Sequence, residues 1–163
     1  MATVSVRAGN VSDLAALIAV NTEIQALHFA NRPDQFKPVD GVAIERWFVE
    51  LFQNPAASVW VAQLDERVVG YAVVIRCSRP EGPYCPARAW WDLDQVGVLA
   101  EQRRTGVCRA LVERVLQAAS AENVAALELS SWNFNETAQD AFRSLGFVPK
   151  VTRFELSVKS STT

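Results

Sequence analysis

Hydrophobic and polar positions alternate from Thr3 to Arg7, the two-residue period of a strand. The period then changes. Asn10-Val11-Ser12-Asp13 reads as a capping box, an Asn cap with an acid three residues on. Leu14, Leu17, Ile18, Ile24 and Leu27 continue an apolar stripe behind it, until Asn31-Arg32-Pro33 breaks the helix. Ile44, Trp47, Phe48, Leu51 and Phe52 fall on one face of a second helix, which Asn54-Pro55 ends. Ser58 to Leu64 and Arg67 to Cys77 are β-rich runs flanking Asp65-Glu66, so they predict a hairpin. The Pro- and Gly-rich stretch from Ser78 to Pro86 is a loop, Ala87 to Leu99 the next strand, and Ala100 to Thr105 a polar loop.

A third helix is expected from about Gly106 to Ala121, with Val107, Leu111, Val115 and Ala118 on one face. Ala126 to Ser130 reads as a buried strand. Asn135 caps a fourth helix carrying Ala138, Ala141, Phe142 and Leu145, and Gly146 closes it. Phe147 to Val158 is expected to supply one or two last strands, and residues 159–163 a frayed tail. The order β-α-α-β-β-β-α-β-α-β, without repeats or linkers, predicts a single α/β (α+β) domain over residues 1–163. Its centre is a mixed, mostly antiparallel sheet of six to seven strands with helices on both faces.

Composition narrows the function classes. The chain has 163 residues, half of them hydrophobic and 21% charged, which suits a soluble domain with a real core. No apolar run approaches the roughly 20 residues that span a bilayer, and the N-terminus lacks the pattern of a signal peptide, so a cytoplasmic protein is expected. Sixteen basic against eighteen acidic residues give a net charge of −2, which offers no general attraction to nucleic acid. A local basic loop can still hold a small anion. Three cysteines without a CxxC pair, and one histidine, speak against a disulfide framework and against a zinc site; no metal is expected.

The chemistry concentrates where a strand, a basic loop and a helix follow one another, from Asp94 through Arg103-Arg104-Thr105-Gly106-Val107-Cys108 to Leu111. A helix N-terminus exposes unpaired N–H groups and a partial positive charge, which suit a phosphate. Gly106 would let the backbone approach the anion closely, and Arg103, Arg104 and Arg109 add positive charge. Read on those residues alone, the segment is equally a solvated loop whose arginines keep the surface soluble.

The loop resembles that of the GNAT superfamily of acyl-CoA-dependent N-acetyltransferases, Arg/Gln-x-x-Gly-x-Gly/Ala, with Cys108 in place of the last small residue. Asn135-Glu136-Thr137-Ala138, Phe142 and Leu145-Gly146-Phe147 resemble the family's Asn-x-x-Ala helix ending in Gly-Phe. Together these motifs cover roughly residues 90 to 150. The resemblance implies acetyl-CoA as acyl donor, its pyrophosphate on residues 103–109. Val96, Gly97 and Val98 would offer backbone groups to the pantetheine arm, with Asn135 and Phe142 beside it. It further implies direct attack by an amine, with no acyl-enzyme, and admits a homodimer.

Such a reaction needs a base, an oxyanion donor and a proton for the departing thiolate. Asp92 and Asp94 share strand parity and are the candidate bases, or else structural carboxylates bound to the backbone or a basic neighbour. Phe142 stands where many members of the family carry a tyrosine acid; Tyr84, Cys108 or a water are substitutes. His28, the only histidine, either positions an acceptor or is structural. Trp90-Trp91 puts one indole on each sheet face, so Trp90 or its neighbour can line the cleft, while Trp47 belongs to an apolar stripe. Three readings follow: an N-acetyltransferase acting on a small-molecule or peptide amine, an acyl-CoA-binding or sensing module on the same fold, and a phosphate-binding domain of another family.

Overall fold

The hairpin at Asp65-Glu66 organises the sheet. In the computed structural model, which describes residues 4–158, β2 (Ala57–Leu64) and β3 (Arg67–Arg79) pair antiparallel around it. Both turn residues take positive φ, 47° and 65°, as a two-residue turn between right-twisted strands requires. β1 (Ser5–Ala8) adds to the β2 edge and β4 (Arg88–Val98) to β3, both antiparallel. β5 (Leu127–Glu128) is parallel to β4 and pairs with it at only two positions, Trp91 with Leu127 and Asp92 with Glu128. The sheet therefore runs β1-β2-β3-β4-β5.

β3 is central and is buried from Val68 to Val74 because both of its faces are covered. α1 (Leu14–Asn31) and α2 (Gly41–Gln53) lie on one face, and α3 (Val107–Ala121) on the other. Two glycines record how closely the layers meet. A Cβ on Gly97 would sit 2.1 Å from Ile24 Cδ1 of α1, and one on Gly70 would sit 2.9 Å from Val107 Cγ1 of α3. Gly70 thus seats the first turn of α3 directly on the sheet. The buried line of α1 is Leu17, Val20 and Asn21, followed by half-buried Ile24. That line is rotated from the expected stripe, and Leu27 is 39% exposed.

The capping box forms as expected, although it caps a single 3₁₀ turn, Val11–Asp13, that runs on into α1. Asp13 also receives both guanidinium arms of Arg7, at 2.8 and 2.7 Å, which holds its carboxyl below the usual range. A depressed carboxylate pKa adds stability above the unfolded-state value near 4, and that stability is lost as pH falls through the folded-state value. Asp13→Ala should therefore cost about 2–3 kcal/mol at pH 7 in a urea melt. Its difference from wild type should narrow in acid; a gap independent of pH would mean the ion pair contributes nothing.

The last segment departs from expectation. Phe147 to Val158 forms no strand, so the sheet among the described residues has five strands and not six to seven. An alternating run becomes a strand only where an edge accepts it, and β5 offers two residues. Thr3 and the expected tail, 159–163, lie outside the described residues. The other elements stand within a few residues of their expected bounds, with α3 starting at Val107 after Gly106 and the Ala126 to Ser130 strand shortened to β5. No helix among the described residues is long and apolar enough to cross a membrane.

Candidate active site

β4 is the wall of the site, and two irregularities shape it. Leu93 lies opposite Val74 and Gln95 opposite Val73, so Asp94 is an inserted residue with no partner on β3. This bulge keeps Asp92 and Gln95 on the α1–α2 face, where alternation alone would have put them on opposite faces. Pairing with β5 also stops at Asp92. The outer edge of β4 from Leu93 to Val98 is consequently unpaired among the described residues, and it carries Val96, Gly97 and Val98.

That free edge leads into the basic loop. After the 3₁₀ turn Ala100–Gln102, Arg104 and Gly106 both adopt positive φ, 62° and 91°. Left-handed residues that alternate with a residue of ordinary φ, here Thr105, turn neighbouring backbone N–H groups toward a concave side, an arrangement that suits an anion. Nothing lies within 4 Å of where a Gly106 Cβ would be, so the glycine is required by backbone handedness and not by crowding. No side chain caps α3 at this end. Thr105 turns its hydroxyl back to the Gln102 carbonyl at 2.6 Å, while Arg103, Arg104 and Arg109 are exposed. Among the described residues, only Arg109 of these three has an acidic neighbour, Glu113, at a loose 3.9 Å. Cys108 packs against the core, and burial raises its thiol pKa more than Arg109 lowers it. The base of the loop is tied down by Glu23 of α1, which accepts the Ala100 N–H at 2.8 Å.

The two carboxylates lie on β4, the strand that leads into this loop. Neither Asp92 nor Asp94 has an ion-pair partner or accepts a hydrogen bond among the described residues. Burial raises the pKa of Asp92, and the charges of Asp94 and Glu128 raise it further; burial also raises that of Asp94, although its outer side reaches solvent. Both are shifted toward neutral pH, the direction that makes a carboxylate a better base. Beside them lies a buried polar network. Asn21 Nδ2 donates to the Tyr71 hydroxyl at 2.7 Å and to Gln95 Oε1 at 3.0 Å, and Tyr71 donates to Gln95 Oε1 at 2.7 Å. Burial lifts the Tyr71 pKa far above its ordinary value, so the phenol stays protonated and a donor.

A cavity of about 490 Å³ opens against this network, between α1, the loop that follows it, α2 and β4. Asn21, Gln25, Phe36, Ile44, Trp47 and Gln95 are among its lining residues. Next to it His28 stacks on Phe36 at 4.8 Å and meets Phe134 edge-on at 5.7 Å. Burial lowers the His28 pKa, and its buried Nδ1 has no partner among the described residues.

An unpaired strand edge, a helix start without a side-chain cap and two carboxylates of raised pKa thus lie along β4 and the loop and helix that follow it. The Acetyltransferase (GNAT) family matches residues 21–147 of the sequence. The chain belongs to this family. No curated protein sequence matches it at significance. Among solved structures it is similar to a tetramutant of the BH1408 protein from Bacillus halodurans, at 24% identity and TM-score 0.89, over 94% of this chain and 99% of the other. It is also similar to the aminoglycoside N-acetyltransferase AAC(6')-Iy in complex with CoA, at 17% identity and TM-score 0.75, over 98% and 96%. A third likeness is the aminoglycoside acetyltransferase meta-AAC0020 from an uncultured soil metagenomic sample, in complex with sisomicin, at 17% identity and TM-score 0.66, over 96% and 97%. At these identities the structures establish a shared GNAT fold.

In this GNAT chain α4 (Glu136–Ser144) is built as its motif suggests. The Asn135 side chain accepts the Ala138 N–H at 3.2 Å and caps the helix. At the other end Phe147 N–H reaches the Phe142 carbonyl and Gly146 N–H the Arg143 carbonyl, with Gly146 at φ 95°. This is a Schellman closure, and its hydrophobic contact is Phe142 against Phe147, centroids 5.9 Å apart. Phe142 therefore has a structural partner whatever else it touches. Phe142→Ala should weaken acetyl-CoA binding about tenfold by calorimetry, and Phe142→Tyr should leave turnover within about threefold. A large loss in the tyrosine variant would show that the added hydroxyl has no room.

Not every sequence candidate comes to the cleft. Tyr84 is 96% exposed on its loop, packed against nothing that would aim it. Trp90 is half-buried under Arg88, whose Cζ is 4.9 Å from the ring, while Trp91 is buried on the other face below Arg76. Trp47, expected as core, touches Phe48 and also lines the cavity. Asn21, Tyr71 and Gln95 escaped the sequence reading because the bulge that unites them leaves no mark in residue periodicity. Gly70 and Gly97 did leave one: an isolated glycine in a strand signals close approach.

Proposed function

We propose that this protein is a cytoplasmic, single-domain N-acetyltransferase that moves an acetyl group from acetyl-CoA to a primary amine by direct attack. The observation that carries the reading is the uncapped start of α3, with its left-handed Gly106, placed at the end of an unpaired β4 edge. The backbone N–H groups behind Gly106, with Arg103, Arg104 and Arg109, would hold the pyrophosphate. Val96, Gly97 and Val98 would bind the pantetheine arm along the free edge, and Phe142 would pack against it. Acetyl-CoA supplies the activated acyl group as a thioester.

The protein's own work is binding and proton transfer. Asp92 or Asp94, with raised pKa, takes the proton from the acceptor ammonium, whose ordinary pKa is near 10, directly or through a water. A β4 backbone N–H serves as oxyanion donor. Phe142 cannot donate a proton and Tyr84 stands in solvent, so thiolate departure relies on the modest basicity of a thiol, pKa near 8.5. Acceptors enter through the cavity beside Gln95 and Trp47, whose amides and aromatic rings suit a small-molecule or peptide amine.

Phe142 is also the observation that favours a second reading, an acyl-CoA-binding or sensing module without turnover. Release of free CoA thiol, followed across a panel of aminoglycosides, polyamines, aryl alkylamines and peptide N-termini, separates the two. Turnover above background with one class supports the enzyme; none with any class, in a chain that binds acetyl-CoA, supports the module.

A further inference from the structure

The cavity beside Gln95 is built from two unlike halves. Its floor is polar: Asn21 and Gln95 meet there, joined through the buried Tyr71 hydroxyl, and Asp94 directly precedes Gln95 on β4. Its wall is apolar: Phe36, Pro38 and Val39 of the loop after α1 line it together with Ile44 and Trp47 of α2. The charged residues that line it are Lys37 and Asp40, one of each sign. Asp40 is already committed, since its Oδ1 caps α2 by accepting the Val42 and Ala43 N–H groups at 3.0 and 3.2 Å. The wall also has its own support. Phe36 stacks on His28 at 4.8 Å and meets Trp132 edge-on at 5.3 Å. Burial lowers the His28 pKa, so the imidazole behind the Phe36 ring stays neutral.

Given acetyl transfer to a primary amine, on which this assignment rests, we propose that the acceptor is a small monoamine with a flat apolar body, an aryl- or heteroaryl-alkylamine. Its ring lies against Phe36, Ile44 and Trp47, and its amine is directed past Gln95 to Asp94. Charge argues against polycations. A polyamine or an aminoglycoside carries several ammonium groups, each of which must keep its water or find a carboxylate on entering. The candidate bases on β4 match one ammonium. The wall then offers a carboxylate already tied to α2 and a lysine that repels. Backbone chemistry argues against a peptide, whose every residue brings an N–H and a C=O that need partners. The side chains of Phe36, Pro38, Val39 and Ile44 have no polar atom to give them. An aromatic body asks only for apolar contact, and offset or edge-on packing on Phe36 and Trp47 adds to the area it buries. Because His28 and Trp132 already hold Phe36, little ordering is needed when the ring arrives.

Calorimetry and thiol release together separate the acceptor class from the transfer reaction. Tryptamine, spermidine, kanamycin and a trialanine peptide are each titrated into the full chain, free and saturated with CoA, and each is then assayed with acetyl-CoA. Tryptamine should bind about tenfold more tightly than the other three and release thiol with a kcat/KM higher by about the same factor. Phe36→Ala and Ile44→Ala should each weaken tryptamine binding about fivefold and leave acetyl-CoA affinity within about threefold. Ile44 lies outside the His28-Phe36-Trp132 cluster, so its variant reads the wall with the loop left in place. Tighter binding or faster turnover of spermidine, kanamycin or trialanine would overturn the assignment and leave acetyl transfer standing. Tryptamine that binds neither the free chain nor the CoA complex, or that binds both variants as well as wild type, would overturn it too. Tryptamine held by this wall without thiol release would support the assignment and count against acetyl transfer instead.

Discussion

Asp92→Asn/Asp94→Asn should bind acetyl-CoA within about threefold of wild type and lose roughly 10²–10⁴-fold in kcat/KM, the contribution of a positioned base. The two changes are made together because the charge of Asp94 acts on Asp92, so that removing one carboxylate alone also alters the other's setting. The wild-type pH profile carries the same information with a definite sign. The base works deprotonated, so kcat/KM should rise with pH on its acid limb. Because burial raises both pKa values, and Asp94 and Glu128 push Asp92 up further, that limb should be centred above the ordinary carboxylate value near 4. Asp92→Asn alone and Asp94→Asn alone then assign the limb: the variant that removes it has lost the base. An unchanged rate in the double variant would show that neither aspartate touches the proton and that the two carboxylates are structural.

Gly106→Val should have the second large effect, and for a different reason. At φ 91° a β-branched residue pays about 1–2 kcal/mol of backbone strain or abandons the conformation. Space is not at issue, since no atom lies within 4 Å of the added Cβ position. Relaxation to negative φ would swing the N–H groups of the first turn of α3 away from their common side. Acetyl-CoA affinity should fall at least tenfold while Asp13, paired with Arg7 of β1, keeps its contribution to stability. Arg103→Ala/Arg104→Ala should instead lower affinity in a salt-dependent way, because it removes charge without changing the cradle. Equal affinity in Gly106→Val and wild type would place the anion elsewhere.

The contrast between these variants reflects how much of the site is legible in the sequence. The basic loop, the Asn135 cap and the Gly146 closure are local: each depends on a residue and its neighbours within about four positions, so the chain spells them out. The Asp65-Glu66 hairpin and the α2 stripe are legible for the same reason. What the sequence hides is set by pairing between distant segments. The bulge at Asp94 exists only in the register of β4 against β3, and it decides that Gln95 meets Asn21 and Tyr71 across 74 and 24 positions of chain. The parting of β4 from β5 after Asp92 is equally non-local. The last segment shows the converse. The strands expected over Phe147 to Val158 do not form, because strand formation needs an edge, and among the described residues that edge, β5, is two residues long.

The proposed acyl-CoA site is formed by the start of α3 and the free edge of β4 together. Calorimetric titration of acetyl-CoA into the wild-type chain tests it most directly. One site per chain is predicted, with affinity falling as salt rises from 50 to about 500 mM because an exposed basic loop is screened. The complete absence of heat and of competition by free CoA, at low salt as well as high, would contradict it.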